Sequence, residues 1–146
     1  MAGDIIDGER VGNWVAAQTG GAYHAQKSQA IGLVRNGQLV AGVIYENWNG
    51  KSIICHIAFL GRLSKEFLGL VYRYPFVTCG ADKIVAPVVS NNGPALRLVQ
   101  KMGFTEEARL VDAAPGGDIV FLTLARESSR FLGDRYGQVS RSTTAG

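Results

Sequence analysis

The most constraining feature of this sequence is a series of three apolar segments between Gln29 and Phe59. The segments AIGLVR and QLVAGVIYE are separated by Asn36-Gly37, and Asn49-Gly50 precedes the third segment, KSIICHIAF. Asn-Gly between two β-prone segments is the strongest short-range signal for a hairpin, because both turn residues tolerate positive φ. The three segments therefore predict an antiparallel meander with roughly eight residues per strand.

The apolar period changes after the meander. In SKEFLGLVYRY, four apolar residues from Phe67 to Tyr74 recur on one helical face, and Ser64 is suited to cap that helix. The next segment, DKIVAPVVS, is short and β-branched, as is typical of a strand covered on both faces. Its Pro87 cannot donate to a ladder, so we expect this strand to be unpaired on one side at that point.

A second helix is marked at both of its ends. Asn92 can cap it, Pro94 lies in its first turn, and Gly103 ends it before the apolar Phe104. Two further strands, TEEARLVDA and DIVFLTLA, flank a turn at 115–117. The sequence thus predicts a strand–helix–strand unit followed by a hairpin.

These elements define a fold class. Asp7 can cap a first helix that runs to Ala17 before the meander, so the predicted order is helix, three strands, helix, strand, helix, two strands. Such an order predicts an α/β (α+β) domain with a mixed, mostly antiparallel sheet of about six to seven strands and helices on both faces.

Composition limits the classes of protein. The chain has 146 residues, 47% apolar and 18% charged, and we expect one globular domain over 1–135. A helical turn is expected around Ser129–Leu132 and a flexible tail over 136–146. We find no membrane span or secretory signal, and Cys55 and Cys79 lie in apolar segments, which is typical of buried thiols in a cytoplasmic protein.

One stretch resembles a known family. VVSNNGPALRLVQKMGFTEEARL is similar to the signature that closes the acetyl-CoA-binding region of GNAT N-acyltransferases: a strand, Asn-x-x-Ala, an amphipathic helix, and Gly-Phe followed by an acidic residue. The ending YRYPF of the preceding helix resembles the RimJ/RimL-like branch, which modifies protein N-termini and ribosomal proteins. The need for residues that start and end a helix would alone explain many of these positions. Their combination at this spacing with the upstream meander favours the family. The matching positions are Asn92, Ala95, Leu98, Lys101, Gly103, Phe104 and Glu107.

The resemblance implies a site for acetyl-CoA as co-substrate. Two parallel central strands, Ser52–Phe59 and Lys83–Val89, would splay apart to admit the pantetheine arm, and a loop after the first strand would hold the pyrophosphate. In that loop, FLGRLSKE, Arg62 and Ser64 stand where the family has glycines, although two cations and a hydroxyl favour anion binding. The implied cofactor-binding residues are Ile57, Phe59, Gly61, Arg62, Leu63, Ser64, Lys65, Asn92 and Ala95.

Candidates for acid–base chemistry lie on the strands. The family's usual tyrosine acid is replaced by Val99, and Ser90 is a nearby hydroxyl that can donate to the sulfur. His56 is the candidate base, with Glu46 and Tyr45 of the neighbouring strand as its expected companions. A histidine in the middle of a central strand is also commonly a satisfied core residue, and that interpretation stays open.

Three functions follow from these observations. The first is transfer of an acyl group, chiefly acetyl, from CoA to a primary amine of a protein or small molecule. The second, suggested by the missing tyrosine and a C-terminal arginine run, is modification of DNA adenine by an enzyme similar to the Mom protein of phage Mu. The third is an inactive GNAT-like fold that binds a partner, such as a second copy in a homodimer. No metal-ligand spacing is present in the sequence.

Overall fold

The computed structural model describes residues 3–19 and 22–128. The predicted helical turn at 129–132 and the predicted tail over 136–146 lie outside the described residues. The elements, in chain order, are β1 Asp4–Asp7, α1 Glu9–Thr19, β2 Gln29–Arg35, β3 Gln38–Glu46, β4 Ser52–Phe59, α2 Lys65–Arg73, β5 Lys83–Val89, α3 Gly93–Lys101, β6 Thr105–Ala114 and β7 Gly117–Ala125. A π-helical turn, Tyr74–Thr78, extends α2, and a 3₁₀ turn, Arg126–Ser128, follows β7.

The strands form one mixed sheet of seven strands in the order β1-β2-β3-β4-β5-β7-β6. Every neighbouring pair is antiparallel except β4 and β5, which run parallel. The first hairpin turn has positive φ at Asn36 and Gly37, 53° and 77°, as the Asn-Gly signal requires. The predicted meander, the mixed sheet and the helices on both of its faces are confirmed.

One local prediction was wrong. Asp7 does not cap the first helix but ends β1, where it pairs with Ile31 of β2, and α1 begins at Glu9. A strand of only four mostly exposed residues carries too little alternation to be recognised in a sequence. Pro75 lies two residues beyond the end of α2, and the chain continues through it as the π-helical turn.

The core has two layers, one on each face of the sheet. On one face α2 and α3 bury Phe67, Tyr72 and Val99 against the strands. On the other face α1 packs Val11 and Val15 onto the glycines of β2 and β3. A Cβ placed on Gly42 would lie 2.6 Å from Val15 Cγ2, so glycine there lets α1 approach β3 closely.

The two parallel strands separate part-way along their length. β4 pairs with β5 only over Ser52–Ile54 and Lys83–Val85. β5 continues its pairing with β7 on its other side as far as Val89, and Pro87 lies opposite Phe121 there. The prediction that the strand is unpaired on one side at the proline is therefore confirmed, as is the divergence of the two central strands.

Candidate functional site

A cleft opens where β4 and β5 diverge. It encloses about 120 Å³ and is lined from β4 by His56 and Ile57 and from β5 by Pro87 and Val89. A second hollow of about 260 Å³ continues it toward Phe59. Both are also lined by Asn92 and Ala95 of α3 and by Gln18 and Thr19 of α1.

His56 and Glu46 meet on the side of the sheet that α1 covers. Their strands are neighbours, and Nε2 of His56 donates to Oε2 of Glu46 over 2.5 Å. About a quarter of each side chain is exposed, 24% for the histidine and 23% for the glutamate. This bond orients the imidazole and leaves its Nδ1 as the nitrogen that can accept a proton in the neutral ring.

Tyr45 is not brought to His56. Because successive side chains of a strand point to opposite faces, Tyr45 lies in the core under α2 while Glu46 faces the cleft side. Its hydroxyl donates to the carbonyl oxygen of Val71, and its ring lies 4.9 Å from that of Tyr74. Burial raises the pKa of Tyr45 well above its ordinary value, so the phenol is a structural donor.

Ser90 lies beyond the end of β5 and outside the cleft lining. Its Oγ accepts from the backbone N–H of Asp118 over 2.9 Å, and its own N–H donates to the carbonyl oxygen of Asp118. These bonds fix the start of the hairpin strand β7. Val99, at the position of the usual acid, is 1% exposed in the core. Val99 therefore offers no side-chain acid, and a role for the Ser90 hydroxyl toward the sulfur stays a prediction.

The loop after β4 has the features of an anion site. Ser64 caps α2, its Oγ accepting from the N–H of Phe67 over 3.1 Å. Arg62 and Lys65 are exposed on either side of it. Nη1 of Arg35 donates to the carbonyl oxygen of Arg62, which turns that oxygen toward β2. Within the described structure, the N–H groups of Arg62, Leu63 and Lys65 have no acceptor, so they can donate to an anion at this helix N-terminus.

Gln18 and Thr19 are the lining residues that the sequence did not reveal. They lie at the end of α1, far from the family signature, and neither carries a motif. Only the packing of α1 across β3 and β4 places them over the cleft. His24 and Tyr23 instead line a separate shallow hollow in the loop before β2.

Neither a metal-binding cluster nor a membrane-spanning helix is present in the described ranges. No three His, Cys, Asp or Glu side chains there are grouped to hold a metal ion. No helix in these ranges is long and apolar enough to cross a membrane.

Comparison with solved structures decides the fold. The spermidine/spermine N-acetyltransferase SpeG of Vibrio cholerae superposes with a TM-score of 0.66 over 84% of this chain and 91% of that chain, at 16% identity. The N-acetyltransferase PseH of Campylobacter jejuni gives a TM-score of 0.53 over 68% and 69%, at 17% identity. The chain has the GNAT fold.

The likeness to these GNAT structures is one of fold, since the identities are below a fifth. No protein-family model and no protein of curated function matches the sequence. One of the PseH structures is a complex with acetyl coenzyme A, again with a TM-score of 0.53 and 17% identity. The RimJ/RimL-like branch and the phage-type relationship stay predictions.

Proposed function

We propose that this protein transfers an acetyl group from acetyl-CoA to a primary amine. The observation that carries the proposal is the cleft between the diverging strands, which has an imidazole–carboxylate pair on its wall and a cationic loop beyond it. The two GNAT neighbours named above, both N-acetyltransferases, support the same reaction type.

The residues present fit a CoA thioester. Beyond Ile54 and Val85 the facing edges of β4 and β5 have no ladder between them, so their backbone groups can bond the amides of a pantetheine arm. Ile57 and Phe59 supply apolar walls along the same path. The loop from Gly61 to Lys65 offers free amides, a helix N-terminus and two cations for the phosphates. Acetyl-CoA supplies the activated acyl group.

His56 and Glu46 supply the base. Nδ1 of His56, directly or through one water, takes a proton from the incoming ammonium, while Glu46 stabilises the resulting imidazolium. The neutral amine then attacks the thioester carbonyl carbon, its nitrogen loses a second proton to solvent, the C–S bond breaks and the thiolate leaves. Because position 99 is a valine, the thiolate takes its proton from water or from the imidazolium of His56, which thereby becomes neutral again.

The proposal is tested by following thiol release from acetyl-CoA in the presence of primary amines. We expect His56→Ala to lower kcat about 10²- to 10⁴-fold, the range of a general base, and Glu46→Gln to lower it less. Both variants should bind acetyl-CoA as the wild type does. Exposed Gln100, on the solvent side of α3, gives the control variant Gln100→Ala with unchanged turnover.

Two outcomes would contradict this proposal. Unchanged kinetics in a folded His56→Ala protein would show that His56 is not the base and that its bond to Glu46 is structural. Binding of acetyl-CoA without transfer to any amine would indicate a GNAT fold used for binding alone.

A further inference from the structure

The sheet surface next to His56 is apolar on the side that α1 leaves open. α1 packs across β2, β3 and β4. On β5 and β7, alternate residues belong to the core on the opposite face, namely Ile84, Ala86, Val88, Val120 and Leu122. Their neighbours therefore point to the α1 side, where they are only half-buried. We name this surface the apolar face; it consists of Val85, Pro87, Val89, Ile119 and Phe121.

The apolar face is continuous with the cleft. Pro87 and Val89 line the cleft opposite His56. Pro87 lies directly across from Phe121 of β7, and Val89 from Ile119, so each cleft-lining residue has an apolar neighbour one strand further out. A molecule whose reacting atom is at His56 can therefore rest its remainder on these side chains.

Three carboxylates on β6 and β7 are engaged by neighbouring side chains. Glu107 holds Nζ of Lys83 over 2.9 Å and the hydroxyl of Thr123 over 2.7 Å. Glu106 and Asp118 both accept from Arg109. Glu46 differs, because its partner is the cleft histidine and not a lysine or arginine. Glu46 is therefore the carboxylate that lies beside the cleft and can meet the ammonium group of an acceptor.

We infer that the acceptor is a monoamine with an apolar body, such as an arylalkylamine. Its ammonium lies at Glu46 and His56, and its body covers Pro87 and Phe121. This inference rests on the proposed acetyl transfer and specifies the acceptor. A polyamine would place its additional ammonium groups against apolar side chains, which is unfavourable. Spermidine, the substrate in the name of the SpeG neighbour, is such a polyamine.

The test compares phenethylamine, spermidine and ethylamine as acceptors at saturating acetyl-CoA. We expect kcat/KM for phenethylamine to exceed that for spermidine by about tenfold or more. Phe121→Ala should raise KM for phenethylamine about tenfold and leave KM for ethylamine within about twofold, since ethylamine has no body to bury. Val77→Ala, which shortens an exposed apolar side chain of the π-helical turn, is the matched control with unchanged KM for all three amines.

A second variant keeps the inference testable if Phe121→Ala folds poorly. Phe121→Glu adds a carboxylate to the apolar face and should move the preference toward spermidine. A wild type that prefers spermidine, with KM values insensitive to both substitutions, would overturn the inference while leaving acetyl transfer intact. So would a wild-type dimer that Phe121→Glu converts to monomer with all amine kinetics unchanged, because the face would then bind a second copy. Transfer to no amine, despite binding of acetyl-CoA, would contradict the proposed function and this inference together.

Discussion

The carbonyl oxygen of Val71 faces a proline one helical turn ahead. Pro75 has no N–H, so the usual partner of this carbonyl is missing at the point where α2 passes into the π-helical turn. The hydroxyl of Tyr45 donates to the Val71 oxygen instead, from the core side of β3. A buried tyrosine thus compensates for the proline and allows the helix to continue.

We therefore expect Tyr45→Phe to lower stability and leave catalysis alone. Loss of the donor leaves a buried carbonyl unsatisfied, which costs about 1–3 kcal/mol of the free energy of unfolding. Urea unfolding measures the loss, and acetyl transfer at a temperature where the variant is folded measures the activity. A fall in kcat without a fall in stability would contradict this expectation and indicate that Tyr45 takes part in catalysis.

Residue patterns predicted the neighbours of His56 only in part. The alternation of β3 and β4 correctly places Glu46 beside the histidine, and the structure shows the pair at hydrogen-bond distance. The same alternation sends Tyr45 to the other face, because it precedes Glu46 by one position. The bond from Tyr45 to Val71 joins residues 26 positions apart, and no local pattern could have revealed it.

At the scale of an element, the loop from Gly61 to Ser64 departs from the glycine-rich pattern yet keeps an open helix N-terminus. A Cβ on Gly61 would meet no atom within 4 Å, so even this glycine is not required by packing. Ser64 caps α2, and Arg35 fixes the Arg62 carbonyl. The loop is therefore held by hydrogen bonds from Ser64 and from Arg35 of β2, with Arg62 and Ser64 in place of the two glycines.

The cations of this loop should govern affinity for the nucleotide end of the donor. We expect Arg62→Ala combined with Lys65→Ala to weaken acetyl-CoA binding about tenfold or more, since two charge-assisted contacts to phosphate are lost. Binding of a phosphate-free acetyl-pantetheine should not change. Calorimetry measures both, with Lys101→Ala at the end of α3 as a control for net charge. Equal weakening of acetyl-CoA and acetyl-pantetheine binding would show that the two substitutions disturb the fold and do not remove phosphate contacts.

Prediction of helices and strands succeeded where the capping residues and the period of apolar residues indicate the same element. The caps at Ser64 and Asn92 act as expected, each accepting from an N–H in its helix. It failed for β1, whose four residues gain their strand conformation from pairing with β2. It also missed the π-helical turn, where the Val71 carbonyl accepts from the distant Tyr45 and no local pattern announces that bond.

At the scale of the whole molecule, the layer under α2 contains ionisable groups that must stay neutral. Burial raises the pKa of the Cys55 thiol to about 12. Desolvation and a hydrogen bond with Cys79 raise the pKa of Tyr74 to about 12. Because these folded pKa values lie above the unfolded ones, their contribution to stability is complete below the unfolded pKa and is lost as pH rises toward the folded pKa.

We therefore expect the free energy of unfolding to fall on the alkaline side. Between pH 9 and 10.5 the loss attributable to Cys55 should be about 1–2 kcal/mol. Urea unfolding at several pH values measures it, and Cys55→Val should make the curve flatter over that interval. A wild-type stability that does not change up to pH 10.5 would contradict the burial argument.

The sheet as a whole could be predicted because its signals are local: two Asn-Gly turns, a change of period and two capped helices. The cleft is a property of the assembled sheet. Its walls come from α1, β4, β5 and α3, and its position depends on where the ladder between β4 and β5 ends, after Ile54 and Val85. The proline at 87 indicated that end, whereas the contribution of α1 had no signal in the sequence.

The most direct test of the account is whether acetyl-CoA binds in this cleft. At about 100 times its dissociation constant, acetyl-CoA should add about 2.7 kcal/mol to the free energy of unfolding and raise Tm accordingly. A bulky substitution at the cleft wall, Ala95→Trp, should abolish the increase while the protein stays folded. No increase in the wild type at millimolar acetyl-CoA would show that the diverging strands do not receive the donor, and acetyl transfer would be excluded.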